Sequence, residues 1–479
     1  MAAYQRMKDA TQPFEPTSAE EWRNLIRKEL KSLDYDNLCW TPANGLQLRP
    51  DYSSTDLPAA TVFIPGNGRP EGWLIREDVA ETASAEANKA GLTLLNRGVH
   101  ALGFRGDFSS EDDLKALLKD IELPYISVHF EGSSRPRVLM ESLSLYAKSK
   151  GYSPDTIFGG MATDPITVLL SRGNWILNEA RDAEMVQELL NLRIETGLQR
   201  FTPLRVDASM YHHAGADTVT ELAATLAHAN EYLHRAREAD IAPDDAVAGI
   251  SFRLACGRSY YTQIAKLRAL RLLWANVCKA YGANPQKAAQ VQMGCITSPR
   301  ERSMRDPYTN MLRNTTQAMA AVIGGCNHLR VLPHDDQHND FSLRIARNVQ
   351  LLLAEEVHLR EVTDPAAGSY LLERLTHDLM QQVWKRFKEI EAMGGLIETA
   401  KSGWLQEQIS LEAAEEERKV SEGILTYIGA NKYPNPDEAG SIRAESNGES
   451  AVTESKLVEP LKLRRAAQHV ESMSQSTTA

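Results

Sequence analysis

Pro203-Leu-Arg-Val-Asp207, continued by Ala-Ser-Met-Tyr-His-His-Ala-Gly215 and then by a helical stretch from Val219 to Arg237, is the passage on which the fold turns. Leu204 and Val206 alternate with Arg205 and Asp207, the period-two pattern of a strand with one apolar and one polar face. A loop of small and ring-bearing residues follows, and then a helix-period pattern. This strand–loop–helix unit recurs along the chain. Strand character is read at Gly98–Phe104, Tyr125–Phe130, Asp155–Gly159, Pro203–Asp207, Ala248–Arg253, Gln290–Cys295, His328–Leu332 and Leu359–Thr363. Helical periodicity separates them at Ala183–Thr196, Val219–Arg237, Ser259–Tyr281, Tyr308–Ile323 and Phe341–His358. Strands and helices alternating in this number predict an α/β fold, a (β/α)8 TIM barrel with an extended N-terminal arm and C-terminal helices. An open doubly wound sheet would carry a Gly-rich phosphate turn after its first strand, and the sequence has none.

The 479 residues suit a barrel with appendages, and a hydrophobic content of 42% is ample for a large core. The expected division is an N-terminal arm over 1–60, the barrel over 61–395, a helical extension over 396–433 and a linker-like tail over 434–479. Ser18 and Glu21 have capping-box spacing and predict a helix from Ala19 to Lys31. In the tail, Pro, Ser, Glu, Gly and Asn dominate from Pro434, with a short helix expected from Leu457 to Met473. The net charge of -11 argues against nucleic acid or an anionic membrane surface as partner. Five scattered cysteines (Cys39, Cys256, Cys278, Cys295 and Cys326) have no zinc-site spacing and point to a reducing compartment. Met1–Gln12 lacks the apolar run of a signal peptide, and no stretch reaches about 18 apolar residues, so a cytoplasmic location is expected.

In a barrel of this kind the loops after the strands carry the chemistry. After the fourth strand of this count stand Tyr211, His212 and His213, and after the sixth Arg300, Arg302 and Arg305. His334, Asp335, Asp336 and His338 follow the seventh. The histidines could act as acid, base or donor, or be structural; the arginines could contact an anion, or pair with Glu301 and Asp306. Neighbouring residues of one loop rarely converge on one ion, so no metal is expected at His334–His338. Within the strands, the apolar alternate residues must face the helices. Ser127, His129, Arg205, Asp207, Ser251, Arg253 and Arg330 are therefore expected inside the barrel. Buried guanidinium groups persist only when paired, so Arg205, Arg253 and Arg330 are predicted to fill the lumen against Asp207 and other acids.

Six segments in order then resemble the methylmalonyl-CoA mutase family. They are Trp40-Thr-Pro-Ala-Asn-Gly-Leu-Gln-Leu-Arg-Pro-Asp-Tyr52, Ile264–Ala275, Arg305-Asp-Pro-Tyr-Thr-Asn-Met-Leu-Arg-Asn-Thr-Thr316, Asp340–Gln350, Thr363-Asp-Pro-Ala-Ala-Gly-Ser-Tyr370 and Ile428-Gly-Ala-Asn-Lys-Tyr433. The resemblance implies adenosylcobalamin-dependent interconversion of methylmalonyl-CoA and succinyl-CoA, in which the cofactor supplies the radical. The departures are as informative. Aligned on Ala214-Gly-Ala216, the family's substrate-contacting histidine falls on Met210 and the tyrosine before it on Ser209. Thr297-Ser-Pro-Arg-Glu301 replaces a Thr-Ser-Gly-Trp-Ser segment, and nothing around Leu74–Asp78 matches Tyr-Ala-Gly-Phe-Ser. The substrate-carboxylate arginine has no equivalent near Asp182–Leu190, and the cobalt-ligating Asp-x-His-x-x-Gly motif is absent, Asp336-Gln-His-Asn-Asp-Phe341 being nearest.

The arm at Glu20-Glu-Trp22 and the segment Pro460-Leu-Lys-Leu-Arg-Arg465 look like small-subunit sequence. The resemblance thus implies a small subunit without catalytic residues, beside a large catalytic subunit that binds adenosylcobalamin and acyl-CoA in a heterodimer. No cofactor is expected on this chain. A catalytic barrel borrowing a separate cobalamin-binding chain, and a non-enzymatic scaffold, are the alternatives.

Overall fold

The computed structural model describes residues 17–31, 33–43, 46–58, 72–108, 110–335, 339–435 and 456–476. Its centre is a closed, all-parallel barrel. The strands are β1 (Leu74–Val79), β2 (Ala101–Phe104), β3 (Ser127–Phe130), β4 (Phe158–Thr163), β5 (Arg200–Asp207), β6 (Ile250–Cys256), β7 (Gln292–Thr297) and β8 (His328–Arg330). The last strand closes on the first, with His328 opposite Leu74.

The TIM-barrel expectation therefore holds, with one strand misplaced in the sequence reading. Leu74–Val79 is the true first strand, and Leu359–Thr363 is not a strand. Each loop named above follows a strand one higher than its expected number. The physical reason is the run Leu74-Ile-Arg-Glu-Asp-Val79, in which charge lies on both faces and the alternation is hidden. Arg76 and Asp78 bond each other across one face, while Glu77 turns to Arg347 on the helix layer at 2.6 Å. Leu359-Arg-Glu-Val-Thr363 has apolar residues three apart rather than two, and it runs into a turn whose Asp364 is held by Arg268.

The helices needed below are α1 (Ala19–Leu30), α2 (Thr218–Glu238), α3 (Tyr260–Ala280), α4 (Asp340–Glu355), α5 (Tyr370–Ala392), α6 (Leu396–Lys401), α7 (Trp404–Ser421) and α8 (Gln468–Ser476). Helix α1 starts with the expected capping box, Ser18 and Glu21 bonding each other's backbone N–H. It buries none of its residues, and Trp22 and Leu25 are exposed. The hairpin behind it, Trp40–Ala43 with Leu46–Leu48, buries Leu46 and Leu48 in the main core, so this part of the arm lies on the chain's own barrel. In the tail, the helix expected at Leu457–Met473 begins only at Gln468; the residues before it are extended and bond to barrel loops instead.

Helix α3 joins barrel to outer layer through buried cations. Lys266 reaches Glu221 of α2 at 3.0 Å and the Ala255 carbonyl at 2.6 Å, and Arg268 reaches Glu373 of α5 at 2.8 Å. Arg271 donates to the carbonyls of Ala289, Val291 and Gly325. Each burial is tolerable because each cationic head group meets carboxylate or carbonyl acceptors, Arg268 Nε alone among the bonded arginines' nitrogens being left without one.

Two carboxylates on the outer helices are less comfortable. Glu412 of α7 accepts from the Asp217 N–H and the Thr220 hydroxyl; burial and the nearby Asp217 push its carboxyl up to about 7. Burial and Glu231 do the same to Glu391 of α5, also to about 7. A carboxyl raised in the folded chain gives full stability below its ordinary value near 4.5 and loses it as pH rises toward 7. The melting temperature is therefore expected to fall between pH 5 and pH 7.5 on these two groups' account, and Glu412→Gln to flatten that slope. A variant with an unchanged slope in calorimetry would remove Glu412 from the explanation.

Candidate functional site

An ionic layer crosses the barrel at the level where β3 ends. Glu131, the residue after β3, accepts from Arg76 of β1, from both terminal nitrogens of Arg205 of β5, and from Arg253 of β6 at 3.3 Å. Arg253 also chelates Asp207, its Nε lying 2.9 Å from Oδ1. Those two residues are direct cross-strand partners, so adjacency on one face brings them together. Asp78 takes Arg76 Nε at 3.0 Å and Arg330 Nη1 at 2.9 Å, with the exposed Arg105 at 3.8 Å. Strand glycines leave the room: a Cβ on Gly103 would lie 2.0 Å from Asp78 Oδ1. Burial opposes ionisation of Glu131, but Arg205 and Arg76 outweigh it and hold the carboxyl well below the usual range.

Arg205, Asp207, Arg253 and Arg330 thus meet in one network. Sequence reasoning missed three of its members. Glu131 was legible, since it continues the i, i+2 series Ser127, His129 on one strand face. Arg76 and Asp78 were hidden with the strand that carries them.

Ser127, His129, Arg205 and Ser251 line a cavity of about 560 Å³ below this layer, together with Thr202, Gln292 and His328. Residues of β1 and of β3 through β8 contribute to its wall, so it lies inside the barrel at the N-terminal end of the strands. His129 bonds the Ser127 hydroxyl at 3.0 Å and packs on His328, ring centroids 4.6 Å apart. Burial, with Arg76 and His328 adding to it, keeps His129 neutral.

On the opposite, C-terminal face the three expected loops are covered. Tyr211, His212 and His213 lie in a short buried helix, Ser209–Ala214. Tyr211 bonds His228, and His212 Nε2 bonds Ser298 Oγ at 2.7 Å. Burial lowers His212, and His213 falls to about 4. Arg300 does not find its acid in its own loop: it pairs with Glu416 of α7 at 2.6 Å and donates to the Arg464 carbonyl. Arg302 donates to the Pro333 carbonyl, and Arg305 Nε is buried without an acceptor. The proposed acids are used elsewhere, Glu301 lying 3.9 Å from Arg258 and Asp306 capping Thr309. His334 stacks on Tyr308 with Asp335 at 3.7 Å; Asp336 and His338 lie outside the described residues. Among the described residues no group of three or more possible ligands could hold a metal ion.

The tail closes this face. Leu457 and Val458 donate to the Gly173 carbonyl, Leu461 to Leu170, Arg464 to His213 and Ala466 to Arg300. Glu471 of α8 accepts from Ser303 Oγ at 2.9 Å and from the Met304 N–H at 3.0 Å. The segment therefore crosses the loops after β4, β5 and β7. No helix among the described residues is long and apolar enough to cross a membrane.

A closed parallel barrel with a charged lumen, a covered C-terminal face and an added arm defines the class; comparison with known proteins gives the family. The methylmalonyl-CoA mutase family matches residues 99–478. The methylmalonyl-CoA mutase small subunit of Porphyromonas gingivalis is 32% identical, over 97% of this chain and 77% of that one. That of Streptomyces virginiae is 33% identical over 88% and 71%, and the probable small subunit of Mycobacterium bovis is 36% identical over 83% and 66%. The chain belongs to the methylmalonyl-CoA mutase family.

The family's cobalamin cofactor does not fit the residues described at the C-terminal face. Its cobalt takes an accessible imidazole nitrogen, whereas His212 Nε2 is engaged by Ser298 and His213 Nε2 is enclosed by protein. Glu131→Ala is expected to lower unfolding free energy by about 3–5 kcal/mol, because several buried guanidinium groups lose their shared acceptor. Urea denaturation measures it; a loss under about 1 kcal/mol would mean the layer does not hold the barrel together.

Proposed function

We propose that this chain is the non-catalytic small subunit of an adenosylcobalamin-dependent methylmalonyl-CoA mutase, paired with a large subunit that binds cofactor and acyl-CoA. The observation that carries the reading is the ionic layer of Arg76, Glu131, Arg205 and Arg253 across the lumen. An acyl-CoA threading the barrel would have to break paired, buried charges, each loss amounting to several kcal/mol. The methionine at position 210, where catalytic chains of the family are expected to have histidine, supports the same reading.

Residues 1–60 then act as an arm, 61–395 as the barrel, 396–433 as a helical extension and 434–479 as a tail. The exposed Trp22, Leu25 and Trp40 of the arm supply apolar surface for the large subunit. Tyr211 and His212 through their side chains, and His213 through its carbonyl, hold the face together rather than act on substrate, and Arg300 and Arg302 anchor loops rather than bind an anion. The cytoplasm is the compartment that suits buried cysteines outside any disulfide at Cys256, Cys278, Cys295 and Cys326.

The isolated chain, given adenosylcobalamin and methylmalonyl-CoA, is expected to form no succinyl-CoA, while mixing with its large subunit yields activity and raises that subunit's melting temperature. Turnover by the isolated chain would overturn the reading. Turnover on adding only a cobalamin-binding chain would favour the split catalytic barrel instead.

A further inference from the structure

The ionic layer presents unlike groups to its two sides. Its carboxylates lie deep, the side chains of Asp78, Glu131 and Asp207 being 3%, 6% and 13% exposed, and Arg76 and Arg205 are buried with them. The arginines toward the C-terminal mouth are more open: Arg330 is 20% exposed, Arg253 24%, and Arg105, directly after β2, 56%. The mouth therefore shows cation above acid. Two of these cations are neighbours, since Arg330 Nη1 at 2.9 Å and Arg105 Nη2 at 3.8 Å both turn to Oδ2 of Asp78. That contact occupies one nitrogen of Arg330. Among the described residues its Nε and Nη2 make no hydrogen bond, and neither is enclosed by protein.

Charge selects the ligand. Arg76, Arg105, Arg205, Arg253 and Arg330 share three carboxylates, Asp78, Glu131 and Asp207, which leaves two positive charges over. The other acids nearby are committed. Glu77 turns outward to Arg347, Asp107 accepts from Ser134 and stands 3.9 Å from Arg135, and Asp335 lies beside His334. Burial, with Arg76 and Arg105 adding to it, outweighs Asp78 and lowers Arg330 from its ordinary value, the mark of a guanidinium short of negative charge. Space borders the layer here: a Cβ on Gly132, the residue after Glu131, would meet nothing within 4 Å. The tail's hydrogen bonds run to the loops after β4, β5 and β7, on the other side of the mouth.

We propose that this side of the C-terminal mouth binds a small dianionic oxyanion, a phosphate or a compact dicarboxylate, received by the open nitrogens of Arg330 and Arg105 with Arg253 at the edge of the site. Guanidinium groups match such oxygens in geometry as well as in charge. The ionic layer is the floor: the ligand rests on its arginines, breaks no ion pair and leaves the lumen closed. Occupancy neutralises the two excess charges, so it stabilises the folded chain.

The test is calorimetric titration of the full chain with inorganic phosphate and, separately, oxalate, at constant ionic strength set by sodium chloride. Saturable binding of one or both is expected, with a matching rise in melting temperature; which probe binds more tightly distinguishes phosphate from carboxylate. Arg105→Gln, at an exposed side chain 3.8 Å from its acid, should weaken binding about tenfold and leave the ligand-free melting temperature unchanged. Arg330→Gln should weaken it further; if that variant does not fold, Arg105→Gln decides alone. Arg200→Gln, at the N-terminal end of β5 where the side chain lies over the Phe158 ring, should bind as the unaltered chain does. No saturable binding up to about 10 mM, equal affinity in Arg105→Gln, or the same loss in Arg200→Gln would overturn the assignment. None of these readouts depends on mutase activity, so failure here leaves the small-subunit reading standing.

Discussion

Arg76, Arg205 and Arg253 lie inside a barrel, and each must find a carboxylate there. Glu131 serves all three, and Asp78 and Asp207 complete the set. Most barrels fill this space with branched aliphatic side chains whose packing tolerates small errors. An ionic filling has no such tolerance, since one missing partner strands a buried charge. That constraint fixes neighbouring features: glycine at 103 to admit Asp78, and the pairing of Asp207 with Arg253 across β5 and β6.

The same layer divides the interior functionally. Above it, His212, Arg300 and Arg302 are committed to holding loops, the tail and α7 together. Below it lies a polar cavity. The face that would carry chemistry is packed, and the face normally devoted to stability holds the open volume.

The outer helices follow a related logic. Lys266, Arg268 and Arg271 sit one helical turn or less apart on α3, and each reaches a different element. They tie α2, α5 and the loops before β7 and β8 to one helix. This explains why Ile264–Ala275, charged yet completely buried at those positions, does not read as an ordinary amphipathic surface helix.

Much of this was legible in the residues alone. Alternation at Leu204–Asp207 and Ile250–Arg253 determined the strands and the inward side of Arg205, Asp207 and Arg253, because a strand's two faces are a local property. Spacing determined the capping box at Ser18 and Glu21, and the order of matching segments determined the family. What tertiary structure alone decided is pairing. Leu74–Val79 is a strand because Arg76 and Asp78 have partners on other strands and Glu77 has one on α4. Arg300 ends on Glu416, more than a hundred residues away, rather than on the acids beside it. Charge finds its partner by distance in space, and a linear pattern carries only distance along the chain.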